Sequence, residues 1–172
     1  RGADAAEDQA LSEALFQSEK ARAENLMIVD LLRNDIGRIA RIGSVAVPEL
    51  FKVEAFSTVH QMSSTITGTL ADPPSMARLA AALFPCGSIT GAPKIRAMEI
   101  IRTVEPAPRG VYCGALGWMA PSGDAAFNVA IRTLSVFGQE VTFGVGGGIV
   151  ADSTADGEWE EALWKARFTR PR

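Results

Sequence analysis

The sequence predicts an α+β fold, and three observations carry that reading. A leading segment rich in Ala, Glu, Gln and Leu places its apolar residues at helical spacing. Two later blocks are dense in β-branched residues, and their strand-like runs are joined by short turn sequences rather than by helices. Strands joined by hairpins, with helices gathered in separate blocks, indicate an antiparallel sheet with flanking helices and not a doubly wound one.

Taken in order, Leu11 and Leu15, then Leu26, Val29 and Leu32 predict one long helix over residues 4–35, about 25 residues or more, with Gly37 as the glycine that closes it. Residues 38–70, with Ile39, Ile42, Val45, Val47, Val53, Val59 and Ile66, read as two or three strands broken near Pro48 and Ser57. Pro73 and Pro74 open a helix that runs to about Ala82. Pro93, at a first helical position, opens another that runs to about Val104. Pro106 and Pro108 then force a loop. Residues 111–121, 125–137 and 141–150 read as three strands of an antiparallel meander, turning at Ser122-Gly123-Asp124 and Gly138-Gln139, before a final helix over 156–168.

With 172 residues and 47% hydrophobic content, the chain can bury one sizeable core but is short for two independent domains. A net charge of −3 with scattered Lys and Arg leaves no electrostatic footprint for nucleic acid. No apolar stretch approaches the roughly 20 residues that span a bilayer, and no signal pattern opens the chain, so a cytoplasmic protein is expected. Cys86 and Cys113 stand far apart and His60 is the single histidine, which argues against structural zinc or a disulfide framework. The start, Arg1-Gly2-Ala3-Asp4, has no methionine and enters a helix at once, as a cut inside a longer polypeptide would.

Several residues offer chemistry, each beside a plainer reading. Gly146, Gly147 and Gly148 can take positive φ and turn backbone N–H groups toward an anion, or can merely end a strand. Glu158 and Glu161, three apart on a helix, share a face that suits a metal, or are first-turn acids favoured by the helix dipole. Glu24 shares a helix face with Met27, Ile28 and Leu31, so it is either a rim acid or a third ligand. Carboxylates without a histidine cluster suit a hard cation such as Mg²⁺.

The segment Gly87-Ser88-Ile89-Thr90-Gly91-Ala92-Pro93-Lys94 precedes a helix N-terminus, a natural anion site, although its spacing is not that of a nucleotide-binding loop. His60 is either a hydrogen-bonded core residue or a proton-transfer group. Tyr112 and Arg132, on different expected strands, could offer a phenol and a guanidinium to a carboxylate, with an exposed strand arginine as the plain alternative.

Together these stretches resemble the chorismate-utilising enzyme family over nearly the whole chain. The resemblance lies in residues 23–35, which begin Ala23-Glu24-Asn25, in residues 87–101, in Ala130-Ile131-Arg132-Thr133 and in residues 146–153. Within that family the pattern is most similar to the aminodeoxychorismate synthase component I branch. The anthranilate synthase component I branch more often has histidine where Asn25 stands.

The resemblance implies that Glu24 and Glu161 hold Mg²⁺ with Glu158 assisting. It implies that Tyr112, Arg132 and the backbone of Gly146, Gly147 and Gly148 hold the enolpyruvyl carboxylate of chorismate. It puts Thr90 and Gly91 in the substrate pocket, with Thr90 among the catalytic set, and His60 near the ring. The implied reaction replaces the chorismate 4-hydroxyl by an amino group, with ammonia from a glutamine amidotransferase subunit or fused domain.

Two departures stand out. Cys86 occupies a position that is usually glycine, and no Pro-Ile-Lys-Gly-Thr motif, which carries the branch's catalytic lysine, is present. That lysine is expected upstream of Arg1, and Lys94 belongs to another motif. The chain is therefore expected to be the C-terminal portion of a chorismate-binding domain and inactive alone. The rival readings are amination with pyruvate loss, as in anthranilate synthase component I, and a non-catalytic module that binds a small carboxylate.

Overall fold

The computed structural model describes residues 1–149 and 153–169. They fall into two compact units, Arg1–Ser88 and Ile89–Arg172. The α+β expectation holds in both: helices flank antiparallel strand pairs.

In the first unit the expected single helix is two, α1 (Ala5–Gln17) and α2 (Glu19–Gly37). Ser18 separates them with an extended ψ of 109° and serves both ends. Its N–H donates to the Leu15 carbonyl at 3.2 Å, and its Oγ accepts from the Ala21 N–H at 3.2 Å. A serine that competes for backbone partners favours a cap over a helix interior, which the surrounding Ala and Glu concealed. Gly37 does not take the left-handed closing position. It is the last helical residue, and Arg38 after it is still right-handed.

The break lets both helices pack on one hairpin, β1 (Ala46–Ala55) with β2 (His60–Thr67), which pair antiparallel from Ala46↔Thr67 to Ala55↔His60. Pro48 does not end a strand as expected. It lies in the first of two register irregularities, where a missing N–H is tolerated. Phe51 lies in the second, with a left-handed φ of 57°, and its N–H donates to Ser64 Oγ at 3.0 Å. The Arg22 guanidinium stands 4.9 Å from the Phe51 ring centroid and 5.9 Å from that of Phe16, so one cation links α2, the hairpin and α1. Helix α3 (Met76–Leu83), capped by Ser75, packs on α2. Val29, Ile39, Ala40 and Ala82 form the buried apolar set of this unit, with Asp35 buried beside them in sequence on α2.

The short helix α4 (Gly87–Thr90) begins as the first unit ends, and α5 (Lys94–Val104) follows in the second. Four strands come next: β3 (Ala115–Met119), β4 (Ala125–Val129), β5 (Leu134–Phe137) and β6 (Glu140–Phe143). Both turns fall where expected, with Gly123 at φ 94° and Gly138 at φ 61°. The expected middle strand over 125–137 is broken, so among the described residues the meander resolves into two separate hairpins. The Ile131 N–H folds back to the Val129 carbonyl at 2.9 Å, and Arg132 is left-handed at φ 49°, which a continuing strand cannot accommodate. Helix α6 (Ala155–Lys165) and a 3-10 turn (Arg167–Thr169) complete the described chain.

Large apolar side chains remain bare on these elements: Trp118, Phe137, Val141 and Trp159 are 57%, 88%, 61% and 66% exposed. Exposed apolar patches of this kind ordinarily meet further protein.

The start of the chain is tied down electrostatically. Arg1 grips Asp8 with a fork, Nε to Oδ1 and Nη2 to Oδ2, both at 2.6 Å, and its Nη1 donates to the Phe56 carbonyl at 2.6 Å. The Arg1 guanidinium and the Gly2 N–H hold the Asp8 carboxyl well below its ordinary value, with His60 adding to them. A depressed carboxylate contributes stability that is complete above the unfolded value, near 3.8, and is lost as pH falls through it toward the folded one. The difference in urea stability between wild type and Asp8→Asn is therefore expected to be constant above about pH 5 and to shrink as pH drops from about 4 toward 2. A difference that grows on acidification would contradict this.

Candidate functional site

In the second unit the chain leaves β6 and passes between an aromatic ring and two carboxylates. On one side lies Tyr112. A Cβ at Gly144 would stand 2.3 Å from the ring's Cγ, and one at Gly146 would stand 3.0 Å from its hydroxyl. On the other side lies α6, where a Cβ at Gly147 would meet Glu158 Oε2 at 2.6 Å and Glu161 Oε1 at 3.5 Å. None of Gly144, Gly146, Gly147 and Gly148 has a left-handed φ. The expected positive-φ run is therefore corrected: at three of these positions glycine is needed for close approach, and at Gly148 a Cβ would meet nothing.

The α6 side chains converge because Thr154 caps the helix, accepting from the Gly157 N–H at 3.2 Å, and sets Glu158 and Glu161 on one face. Ser153 Oγ donates to Glu158 Oε1 at 2.6 Å, while Glu158 Oε2 is buried with no hydrogen-bond partner among the described residues. Lys165, one turn beyond Glu161, pairs with its Oε1 at 2.5 Å and donates to the Gly146 carbonyl at 3.0 Å. An orphaned carboxylate oxygen beside a second carboxylate, over backbone with no side chain, fits a hard cation. Within neither unit, among the described residues, do three His, Cys, Asp or Glu side chains gather as a ready metal cluster.

Tyr112 and Arg132 are not strand residues, which corrects the expectation. Tyr112 lies in a turn between Gly110 at φ 62° and Cys113 at φ 64°, and exposed Arg132 lies between β4 and β5. The Cys113 N–H still donates to the Ala130 carbonyl at 3.0 Å and the Ala130 N–H to Gly114 at 2.9 Å. The pairing of β3 and β4 thus extends past their ends, and both residues leave from the same end of that hairpin. Burial, then the neighbouring Cys113, pushes the Tyr112 phenol above its ordinary value, which keeps it a neutral hydrogen-bond donor.

Thr90 ends α4, and Gly91 follows with φ 131°, close enough to α5 that a Cβ would lie 3.1 Å from that of Ala97. Arg109 braces this corner. Its Nη1 donates to the Ile89 carbonyl at 2.9 Å while its Nε and Nη2 clasp Glu105 at 2.6 to 3.1 Å. The first four residues of the segment expected before this helix N-terminus thus form a helical turn of their own. Cys86 accommodates its side chain half-buried, with Sγ 3.1 Å from Ser88 Oγ.

Glu24 and His60 stand on the first unit. Glu24 is exposed on α2, 4.0 Å from Lys20 Nζ, and Met27 of the apolar face expected beside it is itself 45% exposed, so this carboxylate carries little desolvation cost. The next residue, Asn25, accepts from Ser64 Oγ at 2.5 Å. His60 opens β2 with its side chain buried. Its Nε2 lies 3.0 Å from Asp8 Oδ1. Sequence reasoning missed Asp8, Ser153 and Lys165. The four-residue spacing from Glu161 to Lys165 was a usable signal, but nothing local linked Asp8 to a residue 52 positions away.

Gly144→Ala is expected to destabilise the folded protein by about 1–3 kcal/mol through collision with Tyr112, and Gly148→Ala to leave it unchanged apart from propensity. Urea denaturation of the two variants checks this, and equal losses would refute the packing argument.

The family of chorismate binding enzymes matches residues 1–171. The chain is 52% identical to an aminodeoxychorismate synthase of Streptomyces pristinaespiralis over 98% of its own length and 24% of the relative's. It is 50% identical to aminodeoxychorismate synthase component 1 of Escherichia coli (strain K12) over 94% of its length and 36% of the relative's. It therefore spans between about a quarter and about a third of these curated relatives. The crystal structure of anthranilate synthase component I from Streptococcus pneumoniae TIGR4 superposes with a TM-score of 0.83 at 40% identity, covering 96% of this chain and 38% of that one. No described helix is long and apolar enough to cross a membrane. By sequence over nearly its whole length and by fold, the chain belongs to the chorismate binding enzyme family.

Proposed function

We propose that this chain serves in a cytoplasmic enzyme that aminates chorismate to 4-amino-4-deoxychorismate, on the way to p-aminobenzoate and folate. In that reading it is the C-terminal portion of the chorismate-binding domain, and a glutamine amidotransferase subunit or fused domain supplies ammonia. The observation that carries the reading is identity of about half to proteins named aminodeoxychorismate synthase, against 40% to the anthranilate synthase structure.

Glu158 and Glu161, with Glu24, would hold Mg²⁺, which when bound would neutralise the ring carboxylate of chorismate and ease displacement of the 4-hydroxyl. The neutral Tyr112 phenol would donate to the enolpyruvyl carboxylate, Arg132 would supply its counter-charge, and the bare backbone of Gly146, Gly147 and Gly148 would let that carboxylate come close. Thr90 and Gly91 would line the pocket, and His60 would exchange a proton near the ring.

The full-length protein with chorismate, Mg²⁺ and ammonia is expected to give a product that retains the enolpyruvyl group. Free pyruvate with a fluorescent aromatic product would select the anthranilate reaction instead. The 172 residues alone are expected to form no product. In the full-length protein, Glu161→Ala is expected to weaken Mg²⁺ binding in calorimetry by about tenfold or more. Unchanged Mg²⁺-dependent chorismate binding in both Glu24→Ala and Glu161→Ala would favour the non-catalytic carboxylate-binding module.

A further inference from the structure

We propose that Asp8, gripped by Arg1, is a positioning residue for His60: it fixes the ring's orientation and its Nε2–H tautomer, leaving Nδ1 as the ring atom able to accept a proton or hydrogen bond. The argument begins with donor and acceptor capacity. An ionised carboxylate only accepts, so at 3.0 Å from Asp8 Oδ1 the His60 Nε2 must carry the hydrogen. Asp8 is ionised because the Arg1 fork and the Gly2 N–H hold its carboxyl below the ordinary value. It is also immobilised. Oδ1 accepts from Arg1 Nε and from the Gly2 N–H at 2.9 Å, Oδ2 accepts from Arg1 Nη2, and Arg1 is in turn anchored on the Phe56 carbonyl.

His60 is held as firmly on its own side. It opens β2, where it pairs with Ala55, and its side chain is only 8% exposed, so strand pairing fixes its backbone and burial restricts its ring. Its second nitrogen, Nδ1, is buried and has no partner among the described residues. A hydrogen there would be an orphaned buried donor, whereas the bare nitrogen is an unfilled acceptor, the more tolerable defect. Both ends of the ring thus select one tautomer. The reading needs only α1, β2 and the residues before α1, all within the first unit.

The test is histidine ¹⁵N spectroscopy on the full-length protein, with the His60 signals assigned by their loss in His60→Gln. At a pH where titration shows the ring neutral, Nε2 is expected to be pyrrole-like and Nδ1 pyridine-like. In Asp8→Asn these identities are expected to mix or exchange, and Asp8→Glu is expected to restore them in part. Should Asp8→Asn fail to fold, Arg1→Gln, which frees the carboxylate, carries the test with the same expected mixing. A pyrrole-like Nδ1 in the wild type, or an unchanged Nε2–H in a folded Asp8→Asn, overturns the proposal.

The kinetic consequence rests on the chorismate reading above. Asp8→Asn is expected to lower kcat on the order of tenfold while KM for chorismate stays within about twofold. A tautomer that shifts while turnover holds supports the positioning role and overturns the assignment of His60 to the reaction.

Discussion

The close approach of bare backbone to side chains on both its faces is the constraint on which the second unit depends. At Gly144 and Gly146 the chain runs against the Tyr112 ring and hydroxyl, and at Gly147 it runs against the Glu158 and Glu161 carboxylates. A methyl group at any of the three would have to displace an aromatic ring, a phenol or a buried acid. The same constraint explains why α6 must start where it does. Thr154 caps the helix and Ser153 steadies Glu158, so the helix phase is set by the residues just before it. Shifting the start by one residue would rotate both acids by about 100° away from the glycines.

Charge on this wall is deliberately unequal in its partners. Glu161 has Lys165, while Glu158 has a hydroxyl on one oxygen and, among the described residues, no partner on the other. The carbonyl of Gly146 shares the Lys165 ammonium, so a side-chain cation already bridges an acid and the glycine backbone. The neutral Tyr112 phenol on the opposite side adds a donor without adding charge.

Much of this architecture was legible in the sequence because it is local. Proline and β-branched spacing located β1, β2, α3 and α5, and the turn residues located both hairpins of the second unit. The misreadings were also local in origin. Ser18 was overruled by the helix formers around it, and Arg132 was absorbed into a strand because nothing in its own chemistry announces a left-handed φ. Around the candidate site, the helical spacing of Glu158 and Glu161 was legible, but the glycines were read for positive φ, whereas Gly146 and Gly147 serve close approach to Tyr112 and to the two acids. The Asp8 link to His60 was illegible, since it joins an exposed-looking helix acid to a strand residue through tertiary packing alone.

The two units solve one problem in opposite ways. On α6 one Glu158 oxygen is buried with no partner among the described residues, an arrangement that costs free energy in the folded state unless a donor or a cation relieves it. At Asp8 both oxygens are engaged: Oδ1 accepts from Arg1 Nε and the Gly2 N–H and faces His60 Nε2, and Oδ2 accepts from Arg1 Nη2, so the acid is tied to its neighbours. Glu24, exposed and 4.0 Å from Lys20 Nζ, is of a third kind, held by a loose surface ion pair. Three acids of one chemical class thus differ in availability because their hydrogen-bond inventories differ. That inventory, more than acidity as such, separates a carboxylate with an oxygen left over from one whose oxygens are both engaged.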